Sequence, residues 1–176
     1  MKHISFDLET LGTSPSAPII QIGAVEFTEE GIITNKFYRN VNWKSLEKYP
    51  FNVDYSTIKF WMKQSDAARN SVLKEEGSQN IKKVLKEFSA YVKSIGRCKV
   101  WSHATFDPVV LTNSYRVVGI DQPISFRNFC DIRTLNYLAN ITTSVSREGT
   151  HHDALDDAIF QAKYISEMLR KINKND

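Results

Sequence analysis

Asp7 and Glu9 stand two residues apart in a stretch where Ile4, Phe6 and Leu8 alternate with Ser5, Asp7 and Glu9. Alternation at period two predicts a strand, on which residues i and i+2 leave the same face. Two carboxylates side by side repel each other unless a cation sits between them, and strands otherwise disfavour both residue types. Asp107 is expected just after a short strand, at the start of a helix, and Asp157 near the start of the last helix. This arrangement exposes four acids to one cleft. Taken singly, Asp107 reads more readily as a helix cap or dipole partner than as a ligand. Asp157 reads equally well as one of three solvated acids, with Asp153 and Asp156.

The elements that must position these acids follow from periodicity and turn residues. Strand 4–9 is followed by a Gly, Ser and Pro-rich loop over 12–18, a second strand over 19–27, a turn at 28–31 and a third strand over 32–41. The chain therefore opens as an antiparallel meander. Residues 56–71 read as a helix capped by Ser56 or Thr57. A clearer helix carries Ile81, Val84, Leu85, Phe88, Tyr91, Val92 and Ile95 at helical spacing and ends at Gly96. A short strand over 99–102 precedes a helix that begins at Pro108 and runs to Gly119. A strand is expected over 126–132, a short helix over 133–139 and an irregular polar segment over 140–150. The final helix starts at Asp153, with Leu155, Ile159, Ala162 and Leu169 on one stripe and Phe160, Tyr164 and Met168 on a second, which predicts cover on two sides. The order predicts an α/β fold, a mixed sheet flanked by helices, built as a single domain over residues 1–176 with a flexible tail at 171–176.

Bulk composition agrees with a folded chain: 176 residues, 41% hydrophobic and 24% charged. A net charge of +3 permits a nucleic-acid partner without demanding one. Cys98 and Cys130 lack the spacing of a zinc site or a disulfide framework and read as two thiols in a reducing compartment. No signal core or membrane-spanning run of about 20 apolar residues is visible, so a cytoplasmic protein is the expectation.

Three segments together resemble the histidine-type DEDD exonucleases (DEDDh, DnaQ-like), whose fold is RNase H-like. Phe6-Asp7-Leu8-Glu9-Thr10 is similar to the first motif of that family, His103-Ala104-Thr105-Phe106-Asp107 to the second, and His152-Asp153-Ala154-Leu155-Asp156-Asp157-Ala158 to the third. Trp61-Met62-Lys63-Gln64-Ser65 and Asp131-Ile132-Arg133-Thr134-Leu135 resemble segments of a narrower branch. That branch holds the mycobacterial-type exoribonuclease domain, the phage DexA-like exonucleases and the exonuclease VIII nuclease. Its members act on DNA in some cases and on RNA in others.

The resemblance implies a 3′–5′ exonuclease that hydrolyses single-stranded DNA or RNA to 5′-mononucleotides. Asp7, Glu9, Asp107 and Asp157 would hold two Mg²⁺ or Mn²⁺ ions about 4 Å apart. Oxygen-only ligands suit those hard cations rather than zinc. His152 would be the general base, since imidazole titrates near neutral pH. His151 with Asp156 offers a rival register at the same spacing; Ala154, matching the small residue of the family pattern, favours His152 with Asp157. His103 stands where the second motif commonly has Asn, which leaves its contact open. Leu8, Thr10, Leu11 and Phe106 are expected at the terminal nucleotide. Phe60 and Trp61 read equally as core and as a base-stacking platform, with Gln64 reading a base edge and Arg69 or Arg133 meeting phosphate. Branch relatives include dimers, so a homodimer is the weaker expectation. Three other readings stand beside the exonuclease. They are a catalytically silent nucleic-acid-binding module, an oligoribonuclease restricted to short RNA, and a subunit held by a polymerase.

Overall fold

The computed structural model describes residues 1–142 and 144–174. A five-stranded sheet has β1 (Lys2–Thr10) at its centre. On one side lie β2 (Ile19–Phe27) and, outside it, β3 (Ile33–Asn40), both antiparallel to their neighbours as a meander requires. On the other side β4 (Cys98–Ser102) and β5 (Phe129–Asp131) run parallel to β1. The sheet is therefore mixed, as expected.

Six helices cover it: α1 (Tyr55–Met62), α2 (Asp66–Leu73), α3 (Ile81–Ile95), α4 (Asp107–Val118), α5 (Ile132–Ala139) and α6 (Ala154–Lys174). One face of the sheet buries Ile4, Phe6, Leu8, Ile20 and Ile22 against Val84, Leu85 and Phe88 of α3 and Leu111 and Tyr115 of α4. The opposite face packs Val25, Phe27 and Trp101 against Ile132 and Leu135 of α5 and Ala162, Ile165 and Met168 of α6. Apolar burial on both faces, at about 25 cal/mol per Å², is what holds the three layers together.

Four local expectations are corrected. The helix expected over 56–71 is two helices, because Ser65 turns out of the helical path and its hydroxyl accepts the N–H of Ala68 to start α2 afresh. The cap of α1 is Asp54, not Ser56 or Thr57: its carboxylate accepts both the N–H and the hydroxyl of Ser56. The strand expected over 126–132 shortens to β5, since Ser125 accepts the N–H of Arg127 and draws Phe126–Asn128 into a 3₁₀ turn. The segment expected as a loose tail is helical as far as Lys174, and residues 175–176 lie outside the described residues. Among the described residues no helix is long and apolar enough to cross a membrane, and both cysteines are free thiols.

The last helix differs most from the reading of its stripes. Its sheet-facing residues are Ala154, Ala158, Ala162 and Ile165, all essentially buried, while Leu155, Ile159 and Leu169 are only partly covered. Large apolar residues flank the contact and small ones make it, because α6 lies close on β1 and β2. At its tightest, the backbone of Ala154 meets Gly23 of β2, where an added Cβ would come within 2.1 Å of the Ala154 carbonyl carbon. Ala154 also donates its N–H to Gln21 Oε1 at 2.7 Å, so β2 fixes both the depth and the register of the helix start. Gly23 in turn pairs with Asp7 across the β1–β2 ladder.

Gly23→Ala is expected to push α6 off the sheet. The cost of overpacking at a backbone contact is about 1–3 kcal/mol, read as a lower urea midpoint. An unchanged midpoint would mean that α6 tolerates a wider spacing than the structure gives it.

Candidate active site

Asp7 and Glu9 leave the face of β1 that α6 covers, and a bulge between Glu9 and Thr10 ends the regular pairing beside them. The other contributor to this face is the first turn of α6. Asp153 caps that helix by accepting the N–H groups of Leu155 and Asp156, and its second oxygen accepts the Tyr38 hydroxyl at 2.6 Å. Gln21 ties the same corner together, donating to Tyr38 Oη at 2.9 Å and to Asn40 Oδ1 at 2.8 Å. Thus held, α6 turns Asp157 inward: a carboxylate oxygen from each of Asp7, Glu9 and Asp157 lies within 4.8 Å of the others. Gln161, one turn further on, donates to Asp7 Oδ1 at 2.8 Å.

Asp107 approaches from the side. It opens α4 with Pro108 behind it, and its Oδ2 accepts the N–H of His103 at 3.0 Å. It lines the same cleft as Asp7, Glu9, His103, His152 and Asp157, a space of about 280 Å³. The 103–106 turn is anchored by Asp131, which caps α5 through Thr134 and accepts the N–H of Ala104 at 3.1 Å.

The two registers of the third motif separate in space. Asp156 points away from the cleft, accepting the N–H of Thr150 at 2.7 Å and packing on Gly149. Asp157 faces Asp7 and Glu9. His152 adopts a left-handed backbone, φ 64°, and the two imidazoles stack at 3.9 Å between centroids. His151 is exposed, whereas His152 is half-buried, with the Phe60 ring edge-on at 4.9 Å and Trp61 at 6.2 Å.

His152 also lines a second, more apolar space of about 300 Å³ with Leu8, Glu9, Thr10, Thr13, Phe60, Trp61 and Phe106. Leu8, Glu9, Phe106 and His152 border both spaces, so the apolar slot opens directly onto the acids. Trp61 is largely core: it is 7% exposed, and its indole N–H donates to the Thr10 carbonyl at 2.9 Å, pinning α1 to the end of β1. Phe60, 39% exposed, presents its ring to the slot.

Leu11, expected at the terminal nucleotide, and Gln64, expected to read a base edge, line neither space. Leu11 is buried in the core with its N–H on the Pro18 carbonyl, and it borders neither space. Gln64 donates to the Phe60 carbonyl at 3.1 Å and closes the end of α1. Arg69 is bound to Asp66 and to the carbonyls of Met62 and Gln64, bracing the α1–α2 corner. Arg133 donates to Thr105 Oγ1 at 3.4 Å at the rim.

Sequence reasoning passed over Arg147, Gln161, Tyr38 and Gly23. Gln161 carried a signal, since it stands four residues after Asp157 on one helix face. Arg147 carried none that set it apart from other arginines in polar segments. Its guanidinium pairs with Asp157 Oδ1 and lies over the Phe160 ring, 4.5 Å from the centroid.

The electrostatics mark the cluster as built for a cation. Burial first, then the repulsion of Asp107, Glu9 and Asp157, holds the Asp7 carboxyl far above the usual carboxylate range. Burial, then Asp157 and Asp107, does the same to Glu9. Burial raises Asp107 to about 7 against the opposing bonds from the N–H groups of His103 and Leu8. Burial and the neighbouring His151 depress His152, which favours the neutral imidazole. Neither Asp7 nor Glu9 has a cationic partner among the described residues. Oxygen donors converging in a buried, under-compensated cluster fit a hard divalent cation.

Comparison with known proteins agrees with this geometry. The model of the family described as "3'-5' exoribonuclease Rv2179c-like domain" matches residues 2–169. Among solved structures, E. coli exonuclease I in complex with a dT13 oligonucleotide superposes with a TM-score of 0.65 at 13% identity, covering 99% of this chain and 42% of that one. The Mg²⁺- and Mn²⁺-bound form of S. pombe Pop2p gives 0.53 at 17% identity, over 94% and 81% of the two chains. Cell-death related nuclease 4 (CRN-4) gives 0.53 at 13%, over 96% and 64%. At such identities the likeness shows the fold, which is RNase H-like, and the chain spans about two fifths of exonuclease I. No curated protein matches the sequence.

The raised acids give a signed pH dependence. Asp107 keeps its proton to about 7 in the folded chain but only to its ordinary 3.8 when unfolded. Unfolding therefore releases a proton between those values, and stability present below about pH 4 is lost as pH rises toward 7. In EDTA at pH 8, Asp107→Asn is expected to stabilise the protein, because the carboxylate that burial disfavours is gone. Thermal melts check it; a destabilised variant would contradict the account.

Proposed function

This chain belongs to the family of Rv2179c-like 3′–5′ exoribonuclease domains, and we propose that it hydrolyses single-stranded nucleic acid from the 3′ end, releasing 5′-mononucleotides. One observation carries the reading: a cluster of buried carboxylates and a half-buried imidazole stand where an apolar slot with an exposed aromatic ring opens onto them. The slot suits a nucleoside and the cluster suits the phosphodiester beside it.

Asp7, Glu9, Asp107 and Asp157 would hold Mg²⁺ or Mn²⁺, and four carboxylates suffice for two ions. Such cations acidify water and draw charge from the phosphoryl and leaving oxygens. Each residue of the chain then has a task. Leu8, Thr10 and Phe106 wall the slot around the terminal nucleoside, and the Phe60 ring stacks on its base. Trp61 sets the height of α1 through Thr10 and so holds Phe60 against His152. His152 accepts the proton of the attacking water at a ring nitrogen, its depressed pKa leaving the imidazole free to do so near pH 7. The P–O3′ bond breaks as the water's hydroxyl adds to phosphorus, and the leaving O3′ takes a proton from solvent to become the new 3′-hydroxyl. Gln161 orients Asp7, and His103 lends its backbone N–H to Asp107.

The family description points to RNA and exonuclease I was solved with DNA, so the test uses both. Purified protein with Mg²⁺ or Mn²⁺ is incubated with 5′-labelled single-stranded RNA and DNA. The expected result is a ladder shrinking from the 3′ end, absent for Asp7→Ala and Asp157→Ala, with the faster substrate naming the sugar. Tight binding without cleavage would instead identify a silent binding module. Phe60→Ala is expected to raise KM about fivefold or more while moving kcat little, since a lost base stack costs about 1–3 kcal/mol. An unchanged KM would take the ring out of the slot's chemistry.

A further inference from the structure

Resting on that reading, we infer that Arg147 is the phosphodiester-binding residue of the site, held on Asp157 until a divalent cation takes that carboxylate and then passing to an oxygen of the nucleic-acid backbone. Among the described residues, Arg147 makes the one ion pair formed by any of Asp7, Glu9, Asp107 and Asp157. It lines the acidic cleft itself, together with Glu9 and His152, two of the four residues shared with the slot.

Asp157 cannot serve every claimant at once. Its Oδ1 accepts Arg147 and its Oδ2 accepts the N–H of His152 at 3.3 Å. A cation shared with Asp7 and Glu9 must draw on the same carboxylate. A guanidinium and a divalent ion bound to one oxygen repel each other, so loading the cluster loosens Arg147.

The released side chain has a short path to an anion. Its Cζ lies over the Phe160 ring, and the side chain is one-third exposed, so it can turn on that platform without leaving the cleft. The loop that carries it is tied to α6 on both sides of Arg147. Ser144 donates to Glu167, Glu148 pairs with Lys163 at 2.7 Å, and Thr150 bonds Asp156. A planar fork of N–H donors matches two oxygens of a phosphodiester, which a lysine does not. The same residue thus compensates the acids in one condition and the substrate's charge in the other.

The test measures binding of a short single-stranded RNA by fluorescence anisotropy, in EDTA and in Ca²⁺, with strand integrity checked afterwards. In Ca²⁺, Arg147→Ala is expected to lose at least tenfold in affinity, the value of a charge-assisted hydrogen bond; Arg147→Lys keeps part of it. In EDTA the variant should bind as the parent does, because there the guanidinium is committed to Asp157. Without nucleic acid, Arg147→Ala should bind Mn²⁺ more tightly by electron paramagnetic resonance titration, its competitor being gone. Equal losses in EDTA and Ca²⁺, no loss in Ca²⁺, or unchanged Mn²⁺ affinity would each overturn the inference. A protein that shows these binding shifts yet cleaves neither RNA nor DNA would overturn the catalytic reading alone.

Discussion

The contact between Gly23 and the backbone of Ala154 is the constraint on which the site depends. A helix normally rests on a sheet through side chains; here its first turn rests on bare backbone, with alanines taking over further along. That spacing lowers Asp157 to the level of Asp7 and Glu9. It also lets Gln161 reach Asp7 and Ser5, so the polar face of β1 finds partners under the helix rather than water. Widening the contact by one methyl group would separate the strand acids from the helix acid and leave Gln161 short of both.

Close approach has an electrostatic consequence. Burial under a helix raises the carboxylates' affinity for protons, and their repulsion of one another adds to the effect. The fold offsets this with polar contacts: Gln161 on Asp7, the N–H groups of His103 and Leu8 on Asp107, and Arg147 on Asp157. Only the last brings a full positive charge. The arrangement is stable enough to hold the acids in place and under-compensated enough to favour a divalent ion.

Much of this was legible from residue order. The strand acids declared themselves by spacing, since Asp and Glu at i and i+2 on a strand have no comfortable structural role. The meander, α3 and the Pro108 start of α4 followed from period and turn chemistry. What stayed hidden depended on distance between segments. Gly23 looks like any strand glycine until α6 is laid across it, and Ala158 was passed over while Ala162 was set among larger residues on a stripe. Arg147 sits in a polar loop with no periodicity, so nothing local distinguished it. Gln64 and Leu11 were assigned by neighbourhood to a motif; their side chains serve a helix end and the core. Trp61 belongs to both worlds, a core residue by burial that sets the slot's far wall.

The left-handed backbone at His152 bears on how such a chain drifts over generations. A non-glycine residue held there costs about 1–2 kcal/mol, and glycine or asparagine would relieve it. On the proposed reading, persistence of the fold alone would pull this position away from imidazole, and demand for turnover would hold it there. Under relaxed demand for chemistry, position 152 is where the lineage should erode first, gaining robustness as it falls silent.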